Sequence, residues 1–341
     1  MTRSRFHHSL IHDRLPFWTG RRVRYGMILT VLGAVDDVMM GNVLTHEHIL
    51  VDFIGAAAYD PARWNRDDVI KRVLPYLHEV RRLGCQTFVD CTPQYVGRDV
   101  LLLQELSRLS GLHIVTNTGY YGGSDPKFLP PPAFVETESQ LAARWIREWD
   151  CGIENTAIRP GFIKISVNGG PLSELSRKLV RAAALSHLQT GLTIVSHTGP
   201  AVGALEQIGL LREAGVSPSA FIWVHAQRET DWNRFGEATR LGAWVSLDGV
   251  DDANVELYVA MLSRLKAERC LHRVLLSHDA GWYEPGLANG GDFRGYATLF
   301  SRLIPALGRE NFSMEEIVKL TQDNPREAFS IHLRQQGIES P

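Results

Sequence analysis

Short runs of β-branched and aromatic residues recur from residue 43 onward, separated by longer stretches whose apolar positions fall three or four apart. The runs are VLTHEHILVD (43–52), TFVDCT (87–92), HIVTNTG (113–119), FIKISVN (162–168), TIVSHTG (193–199), FIWVHAQ (221–227), AWVSLDG (243–249) and RVLLSHDAG (273–281). They lack clean alternation, as expected of strands in a parallel sheet covered on both faces. Between them, Val69, Val73, Leu77 and Val80 mark one face of a helix over 67–84. A second such stretch, 172–191, stops at Gly191, a helix-ending residue. Residues 293–336 read as two closing helices. The strands start about 33 residues apart on average, the length of one βα unit. Eight units predict an α/β protein, a single-domain (β/α)8 TIM barrel over residues 27–336. An open doubly wound sheet would require a glycine-rich phosphate loop after an early strand, and the sequence has none.

The first 26 residues break the pattern. They hold six arginines, three histidines and one acid, Asp13, with a period of neither 2 nor 3.6. We expect an N-terminal extension there, disordered or loosely docked. Arg21-Arg22 ahead of apolar residues 27–33 fits a twin-arginine export signal. No small-residue cleavage site follows cleanly, and MILTVLGAV serves equally well as the first short strand of the folded domain.

Composition adds exclusions. With 44% hydrophobic and 22% charged residues the chain is neither disordered nor fibrous. Its 36 basic and 38 acidic residues leave a formal charge of −2, so no field of one sign gathers nucleic acid or anionic membrane. No stretch approaches the roughly 18 apolar residues of a membrane span. Cys85, Cys91, Cys151 and Cys270 are widely spaced without a CxxC pair, which reads as reduced thiols in a cytoplasmic protein. The expected partner is a small molecule, and a homodimer is left open.

In a barrel the strand ends carry the active site. Here they are rich in metal ligands: His46-x-His48 on strand one, Lys164 on strand four, His197 on strand five, His225 on strand six and Asp279 on strand eight. The strand period of 2 points His46 and His48 to one side. Imidazole with carboxylate suits Zn, Mn, Co or Fe. A single histidine at a strand end is commonly structural, and Asp279 alone would suit a helix N-cap. Lys164 is different, because an ammonium among Phe162, Ile163 and Ile165 costs desolvation unless something holds it. Taken together, the six residues point to a metal centre.

That set resembles the phosphotriesterase family of the amidohydrolase superfamily. The resemblance spans about residues 27–332 and includes MILTVLG, LTHEHI, the SHD of the eighth strand and Asn324-Pro325. It implies two divalent ions, zinc first among the candidates, bridged by a CO2-derived carbamate on Lys164 and by hydroxide. His46, His48 and Asp279 would hold one ion, His197 and His225 the other. Asp279 would take the proton. Asp90, at the end of strand two, either orients a ligand imidazole or serves as a cap or turn residue. The carbamate is physically apt, since an ammonium repels two cations whereas carbamate oxygens span metals about 3.5–4 Å apart. The resemblance further implies hydrolysis of an ester bond, with a lactone or carboxylic ester ahead of a phosphotriester. Amide hydrolysis or deamination on the same barrel is the alternative, although Lys164 argues against mononuclear deaminases. Tyr121, Gln227 and Trp282 are the expected substrate contacts. Arg228 near the entrance either binds a substrate carboxylate or phosphate or forms an exposed salt bridge, and Trp282 and Tyr283 belong either to a glycine-hinged lid over 280–291 or to the packing there. Lactone-hydrolysing relatives place an arginine after strand seven, where this chain has Gly249.

Overall fold

The computed structural model describes residues 26–123 and 125–337. The N-terminal extension expected over 1–26 therefore lies, apart from Gly26, outside the described residues. A hairpin of β1 (Met27–Thr30) and β2 (Gly33–Asp36) comes first. MILTVLGAV thus forms both strands of this hairpin. The eight expected strands follow: β3 (Asn42–Leu50), β4 (Cys85–Asp90), β5 (His113–Val115) continuing as β6 (Asn117–Thr118), β7 (Phe162–Ser166), β8 (Thr193–His197), β9 (Phe221–Val224), β10 (Trp244–Leu247) and β11 (Val274–Leu276). Neighbours pair in parallel, in one sheet from β3 through β5 and another from β6 through β11. Where β11 meets β3, Thr45 Oγ1 donates to Leu276 O at 3.0 Å and Asp279 N donates to His46 O at 3.1 Å. With helices between the strands, this is the α/β TIM barrel architecture.

Helices α1 (Arg66–Arg82), α2 (Val100–Ser110), the short α3 (Pro132–Val135), α4 (Glu138–Cys151) and α5 (Glu174–Thr190) cover the first half. Then come α6 (Ala201–Glu213), α7 (Asn233–Arg240) and α8 (Val255–Ala267). Local signals set their ends. Asn65 Oδ1 accepts from Asp67 N and Asp68 N to start α1, whose buried residues are Val69, Val73, Leu77 and Val80 as the spacing requires. Gly191, at φ 73°, ends α5 in the left-handed conformation that glycine adopts without Cβ strain. The two closing helical runs cover 299–309 and 314–329, and Asn324 Nδ2 donates to both Leu271 O and Val274 O to lock the second against β11.

Alternation along β7 divides the core. Ile163 and Ile165 pack outward among the helices, while Phe162 joins an inner cluster with Val89, Val115, Val195 and Trp244. Ile28 of the hairpin and Phe329 of the last helix close that cluster from below. The apolar plug thus fills the ends where the strands begin. Polar side chains are left to the ends where they finish, and there the site forms.

One feature differs from expectation. Residues 281–283 do not hinge; they form a strand, β12 (Gly281–Tyr283), paired in parallel with β3, and Val51 N donates to Tyr283 O at 2.9 Å. The glycines admit close packing, since a Cβ on Gly281 would lie 1.8 Å from His48 O. The four cysteines are free. No helix among the described residues is long and apolar enough to cross a membrane.

Candidate metal centre

Six side chains from five strands meet at the floor of one cavity of about 320 Å³. They are His46, His48, Lys164, His197, His225 and Asp279. His48 Nε2 lies 3.0 Å from Asp279 Oδ1, and His46 Nε2 lies 3.7 Å from the same atom. Across the floor, His197 Nδ1 and His225 Nε2 face each other at 2.8 Å, and His225 Nε2 is 3.9 Å from Asp279 Oδ2. Lys164, 1% exposed, extends from β7 so that Nζ comes 3.4 Å from His46 Nε2. Donor atoms of His46, His225 and Asp279 all fall within 4.8 Å of one another.

The backbone is bent to achieve this. His225 (φ 61°) and Asp279 (φ 52°) both sit in the left-handed region, which costs a non-glycine residue about 1–3 kcal/mol. Hydrogen bonds hold them there. Asp248 accepts from His225 N at 3.2 Å, and Asp279 donates its N–H to His46 O and accepts from Arg294 at its carbonyl.

Electrostatics put the donors in ligand form. Burial, then the charge of Lys164, lowers the pKa of His46 to about 4. Burial and the neighbouring His225 push His197 well below its usual value. Both imidazoles are neutral at pH 7. Burial would raise the Asp279 carboxyl, but the His48 hydrogen bond and the nearby histidines outweigh it and hold the group well below the usual carboxylate range. A carboxylate, neutral imidazoles and a buried amine that finds no carboxylate among the described residues form a donor set that fits divalent metal.

Asp248 organises the back of the floor, and sequence reasoning missed it. It is fully buried and accepts from His225 Nδ1 at 2.7 Å, Ser246 Oγ at 2.7 Å and Gln227 Nε2 at 3.1 Å, with His46 Nδ1 3.2 Å away. Its acceptor role puts the proton of His225 on Nδ1 and leaves Nε2 free to coordinate. The available signal was its place in SLDG at the end of strand seven. Glu47, inside the THEH motif, was also unread. Its carboxylate takes Ser277 Oγ, His278 N, His278 Nδ1 and Ala280 N, at 2.6–3.0 Å, and so ties the Asp279 turn to β3.

Of the two readings of Asp90, the structure shows the turn residue: it accepts from the backbone of Ile49 at 2.8 Å and of Thr92 at 3.1 Å. The atom beside His48 Nδ1 is Thr92 Oγ1, at 2.8 Å. Asp90 is thus a turn residue acting at one remove, and burial raises its pKa to about 6.

Among the expected substrate contacts, Tyr121 and Trp282 line the cavity, and the Tyr121 hydroxyl lies 3.2 Å from His197 Nδ1. Gln227 is not in the cavity wall. Its amide is clamped onto Asp248, donating from Nε2 and accepting Asp248 N at 3.2 Å. Gly249 abuts Gln227 and the Tyr258 hydroxyl, which accepts its N–H at 2.8 Å, so no arginine-sized side chain is accommodated without movement. Phe53 and Phe128, which the sequence did not single out, extend an aromatic wall from Trp282 to Tyr121 with ring centroids 5.6–6.1 Å apart.

A parallel α/β barrel with histidines, a lysine and an aspartate converging where its strands end places this chain among barrel proteins whose site lies at the strand ends, here with a candidate metal centre. A profile of the phosphotriesterase family matches residues 26–329, and the chain belongs to that family. A crystal structure of a phosphotriesterase homology protein from Escherichia coli, complexed with phosphate in its active site, is 29% identical and superposes with a TM-score of 0.75 over 86% of this chain and 99% of that one. An aryldialkylphosphatase of Saccharolobus solfataricus is 24% identical, covering 87% of this chain and 97% of its own. An N-acetyltaurine hydrolase of Salmo salar is 26% identical, covering 88% and 97%.

Proposed function

We propose that the protein is a metal-dependent hydrolase that cleaves an ester bond in a small molecule, a lactone or carboxylic ester in preference to a phosphotriester. The observation that carries this reading is the convergence of six donors on the floor of a small cavity whose walls are mostly aromatic and aliphatic. In it, His46, His48 and Asp279 would hold one ion, His197 and His225 a second, and carbamylated Lys164 would span both. When bound, two such ions supply Lewis acidity toward a carbonyl or phosphoryl oxygen and a hydroxide at neutral pH.

The chain's own residues do the rest. Asp279, ionised and within 3.0 Å of His48, accepts a proton at the floor. Asp248 and Thr92 keep His225 and His48 in the tautomer and orientation that direct Nε2 inward. Phe53, Phe128 and Trp282 bury the apolar part of the substrate and exclude water from the reacting bond.

Amide hydrolysis is the second reading, and the relatives named N-acetyltaurine hydrolase favour it. The test is turnover of lactones, aryl esters, phosphotriesters and N-acyl amides by zinc-loaded protein. Ester turnover above that of amides, lost with chelator and regained with zinc, supports the first reading. Amide turnover without ester turnover replaces it with the second, and chelator-resistant activity overturns both.

A further inference from the structure

Two cations line the cavity above its floor: Arg228, which follows strand β9, and Lys127, which precedes the wall residue Phe128. Both are exposed, and neither has a hydrogen bond or ion pair to a carboxylate among the described residues. The acid next to Arg228 in sequence, Glu229, is engaged elsewhere, accepting from Ala201 N and Asp231 N, both at 2.8 Å. Other surface arginines in this chain do find carboxylates: Arg63 with Asp52, Arg144 with Glu136 and Arg177 with Glu206. Among the described residues, these two cations of the cavity are therefore without a carboxylate partner.

Both stems are seated. A Cβ on Gly55 would fall 3.0 Å from Lys127 Cγ, and one on Gly199 would fall 3.6 Å from Arg228 Cδ. Two glycines therefore leave room for the methylenes to lie along backbone at the rim. The Lys127 ammonium stays 5.3 Å from the Phe128 ring centre, against the wall. Apart from Asp279 and Lys164 on the floor, these are the charged residues among the described residues that line the cavity, and the wall between is mostly aromatic or aliphatic. With a net charge of −2, the whole chain offers no positive field; this one is local.

We infer that Arg228 and Lys127 form an anion-binding end of the cavity, so that the substrate carries a carboxylate or similar oxyanion on the side remote from the bond that is cut. The inference rests on the hydrolytic reading for the bond, and on the two cations alone for the anion. A guanidinium can take a carboxylate through two parallel N–H donors while the ammonium adds a point charge. The 320 Å³ cavity suits one small aromatic or aliphatic spacer between anion and floor.

The test is a matched pair of acetyl esters, 4-acetoxybenzoate and its uncharged counterpart 4-acetoxybenzamide, offered to the zinc-loaded full chain. Water adds to the acetyl carbon, the bond from that carbon to the phenolic oxygen breaks, and acetate and the phenol leave in both cases. The ratio of the two kcat/KM values is read, because it cancels losses in folding or metal loading. Wild type is expected to favour the anion by at least about 10-fold. Replacing Arg228→Gln with Lys127→Gln is expected to reduce the ratio by about 10–100-fold, mainly through KM, the range for hydrogen bonds to a charged group. An equal ratio in wild type and the double variant overturns the inference. A separate arm measures benzoate and benzamide binding to the same zinc-loaded protein by calorimetry. Benzoate binding that weakens in the double variant upholds the anion site even if neither ester is turned over, an outcome that removes only the hydrolytic reading. Benzoate binding that survives the double substitution places the anion on the floor and overturns the inference.

Discussion

Replacing Asp248→Asn removes one charge and keeps the shape. The carboxylate is fully buried and faces donors on both oxygens: His225 Nδ1 and Gln227 Nε2 on Oδ1, His225 N and Ser246 Oγ on Oδ2. An asparagine has one oxygen, so its NH2 must point at donors whichever way it turns. The cheaper placement puts the NH2 on the Oδ2 side, where the Ser246 hydroxyl can rotate and the His46 ring can change tautomer. The N–H of His225 is then left buried without an acceptor, at about 1–3 kcal/mol. That N–H also holds His225 in its left-handed conformation, so Nε2 swings off the floor. Partners of this kind are typically worth about 10–100-fold in metal affinity. The expected result is zinc affinity lower by that factor, together with a melting temperature lower by roughly 2–4 °C per kcal/mol lost, the scaling for domains of about 150–250 residues. Zinc affinity is read by competition with a chromophoric chelator, and melting by calorimetry of the metal-free protein. A variant with unchanged affinity and unchanged melting refutes the reasoning. A variant that melts early yet binds zinc normally assigns Asp248 to the fold alone.

Lys164→Ala should lower turnover by orders of magnitude, and a small carboxylate added to it should restore a part; a fully active Lys164→Ala protein would dismiss the bridging role. Lys164→Arg should gain nothing from its retained charge, because guanidinium forms no carbamate. Glu47→Ala strands four buried donors at the turn before Asp279 and should cost roughly 3–5 kcal/mol, the range for breaking a buried charged network, visible as a shift of the denaturant midpoint. His187 is buried away from the cavity, and burial lowers its pKa from 6.5 to about 4. The folded state binds its proton less readily than the unfolded chain, so stability is full above pH 6.5 and falls as pH drops toward 4, by about 3 kcal/mol in total. In His187→Gln the loss in unfolding free energy between pH 7 and pH 4.5 should shrink; an unchanged loss would place the acid sensitivity elsewhere.

Eight apolar runs at one βα spacing were enough to specify a barrel, because each strand buried on both faces must be hydrophobic nearly throughout. The same spacing put His46, His48, Lys164, His197, His225 and Asp279 at strand ends, where a barrel gathers side chains from distant parts of the chain. Their partners were not legible. Asp248 reads as one more polar residue after a strand until β9 and β10 lie side by side and His225 turns back onto it. Glu47 alternates with His46 and His48 and so points away from the floor, and only the meeting of β3 with β11 shows that it anchors the Asp279 turn. Gln227 was expected in the cavity because its neighbours are there. The left-handed residue at His225 turns the following 226–228 segment so that Gln227 faces Asp248 and Arg228 reaches the rim. Residues 280–291 looked mobile for their glycines, yet glycine at 281 is what allows β12 to approach β3 closely enough to pair. Periodicity records which way a residue faces within its own element. Which donor meets which acceptor across elements depends on packing, and packing is decided only in three dimensions.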